Sequence, residues 1–243
     1  MKKIIVANWK MNGGVEFLRN YFSAGFTASN QIDTVFCPQF PLLNSFADYA
    51  NKYGFFLGAQ DCHHEFKGAF TGDVSAELLK EISVNYVILG HSERREYHFE
   101  KNEVIAKKFS QAQKFNLTPI LCIGESLIDR EKGNYKDFLL TQLSNSLPEN
   151  FTSNFIIAYE PIWSIGTGVI ATNDQIIEVF SLIKEFLNNK IGSDVDKIRI
   201  LYGGSVNDKN VGDLSKIKDL SGYLVGSASL KRDQFSIISN SLL

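Results

Sequence analysis

One acidic side chain, Glu160, stands between an apolar run and a proline. The run Phe155–Ile157 is typical of a buried strand, so Glu160 is predicted to lie at the carboxyl end of that strand. Pro161 fixes its own φ and biases the preceding residue toward extended geometry, which would hold the backbone of Glu160. A carboxylate held in this way could act as a general base.

The segment after Pro161 contains the glycine pair Gly166 and Gly168. Glycines let a loop bend and bring backbone N–H groups close to an anion, so the segment is interpreted as a hinged lid beside the base. A simple flexible turn is the plain alternative. Residues 166–171 also fit the dinucleotide pattern G-x-G-x-x-A, but that turn should follow its strand almost at once, whereas residues 161–165 intervene here.

A histidine, His91, follows another apolar run, Val87–Leu89. The polar segment after His91 could start a helix, whose N-terminal N–H groups would disfavour an imidazolium and lower the pKa of His91. A neutral imidazole could then polarise a carbonyl group. The alternative is a histidine that is hydrogen-bonded in the core, or exposed at the surface, and has no catalytic role.

An amide and a cation, Asn8 and Lys10, follow the first apolar run of the chain. Their spacing of two residues places both side chains on the same side of an extended segment. Two glycine-containing turns, residues 202–206 and 226–230, follow the last two apolar runs. In barrel enzymes this is where backbone N–H groups and the start of a short helix bind phosphate.

Eight short apolar runs would position these residues. They are rich in β-branched and aromatic side chains and are separated by enough chain for crossover helices. The runs are Ile4–Val6, Val35–Cys37, Phe55–Leu57, Val87–Leu89, Ile120–Ile123, Phe155–Ile157, Ile198–Leu201 and Tyr223–Val225. A helix is predicted from Thr172, which forms a capping box with Gln175, and another through residues 105–115. The pattern predicts an α/β protein, a single (β/α)8 barrel domain over residues 1–243, whose active site lies at the carboxyl ends of the strands.

The composition of the chain limits the classes of molecule that it is expected to bind. A formal net charge of −2 provides no basic surface for nucleic acid or an anionic membrane, and no apolar stretch approaches a membrane span. The apolar start is too short for a signal-peptide core, so a cytoplasmic protein is expected. Cys37, Cys62 and Cys122 form no Cys-x-x-Cys pair, and His63-His64-Glu65 lacks the second histidine of a His-Glu-x-x-His site. No metal and no cofactor are expected.

A carboxylate base, a neutral electrophile, a cation and a phosphate site together suit proton transfer next to the carbonyl of a small sugar phosphate. The chain resembles the triosephosphate isomerase family over essentially its whole length. The resemblance lies in Asn8-Trp9-Lys10, Gly90-His91-Ser92-Glu93-Arg94-Arg95, Cys122-Ile123-Gly124-Glu125, Ala158-Tyr159-Glu160-Pro161, Gly166-Thr167-Gly168 and Tyr202-Gly203-Gly204-Ser205-Val206.

The resemblance implies a TIM barrel that interconverts dihydroxyacetone phosphate and D-glyceraldehyde 3-phosphate through an enediolate, in glycolysis and gluconeogenesis. It implies Glu160 as the base, His91 as the electrophile, and Lys10 and Asn8 as residues that offset charge and position the substrate. Glu93 would support the site. The phosphate would be held by a set of backbone N–H groups, those of Gly166, Ser205, Gly226 and Ser227.

The chain departs from the family pattern in three places. Ser227 stands where the family commonly has glycine, Val169-Ile170 where it has Lys-Thr, and Ser164 where it has alanine. We expect Ser227 to start a short helix with right-handed geometry, because a left-handed residue other than glycine would be strained.

The segment 68–73 resembles the family's interface loop, which implies a homodimer in which Thr71 reaches toward the neighbouring active site. Two alternatives to the isomerase remain. One is another sugar-phosphate-binding barrel enzyme, which would need a different base or a Schiff-base lysine. The other is a non-catalytic barrel, which need not keep Asn8, Lys10, His91 and Glu160 together.

Overall fold

Eight parallel strands close into a barrel in the computed structural model, which describes residues 1–23, 25–167 and 169–243. Each strand pairs with the next one along the chain, and the first strand pairs with the last, which confirms the predicted (β/α)8 barrel. The strands are β1 (Ile4–Asn8), β2 (Asp33–Cys37), β3 (Phe56–Ala59), β4 (Tyr86–Leu89), β5 (Thr118–Ile123), β6 (Ile156–Tyr159), β7 (Arg199–Tyr202) and β8 (Gly222–Val225).

Helices follow the strands and cover the outside of the barrel. They are α1 (Val15–Ser23), α2 (Leu43–Tyr53), α3 (Ala76–Glu81), α4 (Ser92–Tyr97), α5 (Asn102–Lys114), α6 (Leu127–Glu131), α7 (Tyr135–Ser146), α8 (Asn173–Ile191), α9 (Val211–Leu214) and α10 (Arg232–Asn240). Short 3₁₀ segments lie at Phe40–Leu42, Ile162–Ser164, Gly192–Lys197 and Ser227–Leu230.

The continuous apolar character of the strands follows from burial on both faces. Along β1, Ile4 and Val6 belong to one buried cluster, while Ile5 and Ala7 belong to a second cluster that includes the helices. Because side chains alternate along a strand, the first cluster fills the barrel interior and the second lies between barrel and helices. Strands buried on both faces need no polar alternation.

Local signals predicted two of the helices. Thr172 caps α8, its side chain accepts a hydrogen bond from the Gln175 backbone, and the Gln175 side chain completes the predicted capping box. Within α5, Ile105, Phe109 and Ala112 are buried at the predicted helical spacing.

The structure also bears on the cysteines and on the search for membrane-spanning segments. All three cysteines are buried and free. Among the residues that the structure describes, no helix is both long enough and apolar enough to cross a membrane.

Candidate active site

A cavity of about 400 Å³ lies at the carboxyl end of the barrel. Because parallel strands of a barrel all end at the same mouth, residues distant in sequence converge there. All eight predicted site residues line the cavity: Asn8, Lys10, His91, Glu160, Gly166, Ser205, Gly226 and Ser227.

The buried centre of the site is a pair formed by His91 and Glu160. The His91 Nε2 atom lies 3.1 Å from the Glu160 Oε1 atom, and both side chains are almost fully buried. The second carboxylate oxygen, Oε2, accepts a hydrogen bond of 3.2 Å from the backbone N–H of Ser92, the first residue of α4. A helix N-terminus and an imidazole therefore hold the carboxylate in this position.

His91 is the residue that caps α4, as the sequence predicted for a helix start after it. Its Nδ1 atom accepts a hydrogen bond of 3.2 Å from the backbone N–H of Glu93. Because Nδ1 accepts this bond, the hydrogen-bond network assigns the ring proton of the neutral imidazole to Nε2, which faces Glu160. An N–H group directed at the cavity is thus available from His91.

The pKa of His91 does not follow the prediction. Burial lowers the pKa, but the charge and hydrogen bond of Glu160 raise it, and the net result is a pKa above the ordinary value of histidine. The predicted lowering is therefore wrong for this arrangement, because the sequence did not reveal that a carboxylate would contact the ring. Burial raises the pKa of Glu160 in turn, but His91, the Ser92 N–H and Lys10 together bring that pKa below its ordinary value.

Lys10 reaches the cavity from a turn. Its φ is 52°, in the left-handed region, so the prediction that Asn8 and Lys10 share an extended segment is wrong. Asn8 is the last residue of β1 and accepts a hydrogen bond of 3.1 Å from the Lys10 backbone N–H through its Oδ1 atom. The Gln60 side chain donates a hydrogen bond of 2.8 Å to the Lys10 carbonyl. These contacts stabilise a conformation that costs a non-glycine residue about 1–2 kcal/mol.

An ion pair joins this turn to α4. The Lys10 ammonium lies 2.6 Å from the Glu93 carboxylate. The carboxylate of Glu93 is half-exposed, whereas Glu160 is buried. In this arrangement Glu93 contacts the cation rather than the base.

Segments that follow β6, β7 and β8 line the rest of the cavity. Gly203 leaves room for the base, since a Cβ atom there would lie 2.9 Å from Cγ of Glu160. Ser227 begins the 3₁₀ segment Ser227–Leu230 and does not have a positive φ, so the predicted right-handed geometry is confirmed. Gly166, in the lid segment, has the positive φ, 71°, that suits glycine. Gly168, the second lid glycine of the prediction, lies outside the described residues.

Glu125 is a buried carboxylate that the sequence reasoning quoted only as part of a motif. It accepts hydrogen bonds of 2.9 Å from the Tyr159 hydroxyl and 3.1 Å from the indole N–H of Trp163. Trp163 belongs to the 3₁₀ segment Ile162–Ser164 at the start of the lid. Glu125 thus fixes the base of the lid. The Gly124-Glu125 pair after β5 was the available sequence signal. It could not reveal the hydrogen-bond partners of Glu125, because Tyr159 and Trp163 are distant in sequence.

Metal-ligating side chains do not cluster in the described part of the chain: no group of three or more His, Cys, Asp or Glu residues there could hold a metal ion. The His63 and His64 rings instead lie tilted against each other and near the ring of Phe70.

A closed (β/α)8 barrel with a carboxylate–imidazole pair, a cation and glycine-containing turns at its mouth is typical of barrel enzymes that act on small anionic molecules. Comparison with known proteins gives the family. The triosephosphate isomerase family model matches residues 3–242. The triosephosphate isomerase of Bradyrhizobium diazoefficiens is 40% identical over 98% of this chain and 97% of its own, and that of Granulibacter bethesdensis is 40% identical over 98% of each.

Solved structures agree. The crystal structure of triosephosphate isomerase from Bartonella henselae superposes with a TM-score of 0.90, at 36% identity over 99% of both chains. The chain belongs to the triosephosphate isomerase family and is an isomerase.

Proposed function

We propose that the chain interconverts dihydroxyacetone phosphate and D-glyceraldehyde 3-phosphate by proton transfer through an enediolate, in glycolysis and gluconeogenesis. The observation that carries the mechanism is the contact of 3.1 Å between a buried carboxylate and a buried imidazole, Glu160 and His91. The cavity that they line is small and is also lined by the cation Lys10 and by the glycine-containing turns after β7 and β8.

Glu160 removes the proton from one substrate carbon and returns it to the neighbouring carbon. In the present arrangement its carboxylate is stabilised by two donors, the Ser92 N–H and His91. A carboxylate that leaves these donors for the substrate loses the interactions that lower its pKa, while its burial, which raises the pKa, remains. Movement onto the substrate therefore makes Glu160 a stronger base at the moment of proton transfer.

His91 donates its Nε2–H to the substrate oxygens, on which negative charge develops in the enediolate. Its Nδ1 atom stays on the Glu93 N–H, which fixes the ring and its tautomer. The Lys10 ammonium offsets the remaining charge, and Asn8 holds the turn that carries Lys10.

The phosphate lies against backbone N–H groups of Gly166, Ser205, Gly226 and Ser227. Backbone donors are the same in any residue except proline, so Ser227 can replace glycine without removing the donor. Lys10 approaches this region, because a Cβ atom on Gly226 would lie 3.4 Å from its Cε.

The test is a coupled assay with D-glyceraldehyde 3-phosphate on the wild-type chain and on Glu160→Asp. We expect wild-type turnover, and for Glu160→Asp a kcat lower on the order of a hundredfold, because the base moves by about 1 Å. Glu178→Asp, the same change at a half-exposed position of α8, is the matched control and should leave kcat unchanged. An inactive wild-type chain would favour the other sugar-phosphate-binding barrel enzyme or the non-catalytic barrel. An unchanged kcat in Glu160→Asp would rule out Glu160 as the base.

We further propose a homodimer formed through the loop around Thr71. Residues 67–73 are all exposed in the single chain, among them the aromatic ring of Phe70. Burial against a second copy would remove this apolar surface from water. A cytoplasmic location is proposed as well, supported by three free, buried cysteine thiols; imaging of the chain in its own cell would test it.

A further inference from the structure

The hydroxyl of Ser164 occupies a fully buried position between the lid and the phosphate side of the cavity. Ser164 is the last residue of the 3₁₀ segment that starts the lid, and its backbone N–H is already bonded to the Pro161 carbonyl at 2.8 Å. A buried hydroxyl needs partners, since an unpaired one is costly. Those partners lie on the turn after β7.

Two hydrogen bonds join Ser164 to Ser205. The Ser205 backbone N–H donates to the Ser164 Oγ atom at 3.3 Å, and the Ser205 hydroxyl donates to the Ser164 carbonyl. The first of these bonds uses the same N–H that the proposed function assigns to the phosphate. The Ser205 N–H, which is proposed to donate to the phosphate, therefore already donates to a hydroxyl of the lid.

The same hydroxyl also contacts Tyr202, the last residue of β7. The Ser164 Oγ and Tyr202 Oη atoms lie 3.4 Å apart. If Ser164 accepts from Ser205, its own proton is free to bond Tyr202. One buried hydroxyl thus links the start of the lid to the end of β7 and to the turn after it.

We propose that Ser164 is a positioning residue that couples phosphate binding to the lid, because its Oγ atom competes with the substrate phosphate for the Ser205 N–H. This inference rests on the proposed phosphate role of Ser205. When phosphate binds, a charged acceptor replaces a neutral hydroxyl at that N–H, and hydrogen bonds to charged acceptors are the stronger ones. The lid residue is released in the same step.

The competition lowers phosphate affinity by about the net value of one neutral hydrogen bond. Such a bond corresponds to about two- to tenfold in a binding constant. Ser164→Ala should therefore bind inorganic phosphate about two- to tenfold more tightly than the wild-type chain, and KM for D-glyceraldehyde 3-phosphate should fall in parallel. The value of kcat should not rise, since Ser164 contacts none of the proposed proton-transfer groups.

The experiment measures the competitive inhibition constant of inorganic phosphate and the separate kcat and KM values for three chains. Besides the wild type and Ser164→Ala, the third is Ser146→Ala, which removes an equally buried hydroxyl from the end of α7. Its phosphate inhibition should equal that of the wild type. Equal inhibition of Ser164→Ala and wild type, or the same gain in Ser146→Ala, would overturn the proposal.

Amide hydrogen exchange of the wild-type chain gives a second test that needs no variant. The Ser205 amide should be protected without phosphate because Ser164 accepts from it; rapid exchange would overturn the proposal even if Ser164→Ala fails to fold. The two hypotheses fail differently. If phosphate does not compete with substrate in the wild-type chain, the proposed phosphate site is wrong. If phosphate competes equally well in the wild type and in Ser164→Ala, only the proposed coupling is wrong.

Discussion

Glu160 and His91 shift each other's pKa in opposite directions. Burial alone would favour the neutral form of both groups, but a contact of 3.1 Å favours the charged form of each. The carboxyl pKa is lowered and the imidazole pKa is raised. A base held in this way is poorly basic until it leaves its partner, so the waiting position and the reacting position of Glu160 differ in chemistry as well as in place.

Glu160→Gln should lower the pKa of His91 relative to the wild-type chain. The substitution removes the carboxylate charge, which raises that pKa, and keeps the burial, which lowers it. The measurement is an NMR titration of the His91 ring in both chains. An unchanged pKa would mean that another group controls the ring.

Gly203→Ala should reduce kcat on the order of a hundredfold with little change in stability away from the site. The added methyl group would lie 2.9 Å from Cγ of Glu160, so the base must shift, and a shift of about 1 Å is costly. Gly212→Ala in α9 is the matched control, because its Cβ atom would meet nothing within 4 Å. Steady-state kinetics of both variants decide the point, and equal kcat values would show that the site accommodates the methyl group.

At the scale of the elements, the sequence located the strands well because each is buried on both faces. The predicted run Ile4–Val6 lies inside β1, and Phe155–Ile157 starts one residue before β6. The strand ends were less clear: Asn8 was placed after β1 but belongs to it, because a polar residue at the mouth still pairs with its neighbour strand. Polar strand ends carry no apolar signal.

The candidate site was predictable in its membership and less so in its geometry. Parallel strands bring their carboxyl ends together whatever the details of the chain, so His91 and Glu160 could be grouped from sequence. The left-handed turn at Lys10 could not be predicted, because Gln60, 50 residues away in sequence, stabilises it through a contact that depends on the fold. The direction of the His91 pKa shift failed for the same reason.

Thr172→Ala should destabilise the chain by about 1 kcal/mol, the usual cost of losing an N-cap side chain. The Thr172 hydroxyl accepts from the Gln175 N–H, and the reciprocal bond from the Thr172 N–H completes the box at the start of α8. Denaturant unfolding measures the change. Thr141→Ala, at an exposed position inside α7, is the control and should not lower stability; equal midpoints for the two variants would contradict a capping role.

At the scale of the molecule, several large apolar side chains remain in water in the single chain. Met11 is 88% exposed, Phe99 81% and Phe70 41%. Met11 follows Lys10, whose ion pair with Glu93 places that turn beside α4, and Phe99 follows the end of α4. Burial of these side chains against a partner would remove apolar surface from water, which supports the proposed dimer.

Phe70→Asp should shift the chain to a monomer at micromolar concentration, because a charge would replace the apolar side chain at the proposed interface. Sedimentation of the variant beside the wild type measures the assembly. Ile237→Asp, which changes an exposed apolar residue of α10, is the control and should keep the wild-type assembly. A wild-type chain that sediments as a fully active monomer would contradict the dimer itself.

The turn at Lys10 also bears on how the sequence can change over generations. A left-handed backbone is easy for glycine and costs any other residue about 1–2 kcal/mol, so Lys10→Gly should make the folded chain more stable while removing the cation from the cavity. Selection for thermal tolerance alone would favour that replacement, and only selection for turnover opposes it. A library screened first for heat resistance and then for isomerase activity should enrich glycine at position 10 in the first step and lose it in the second.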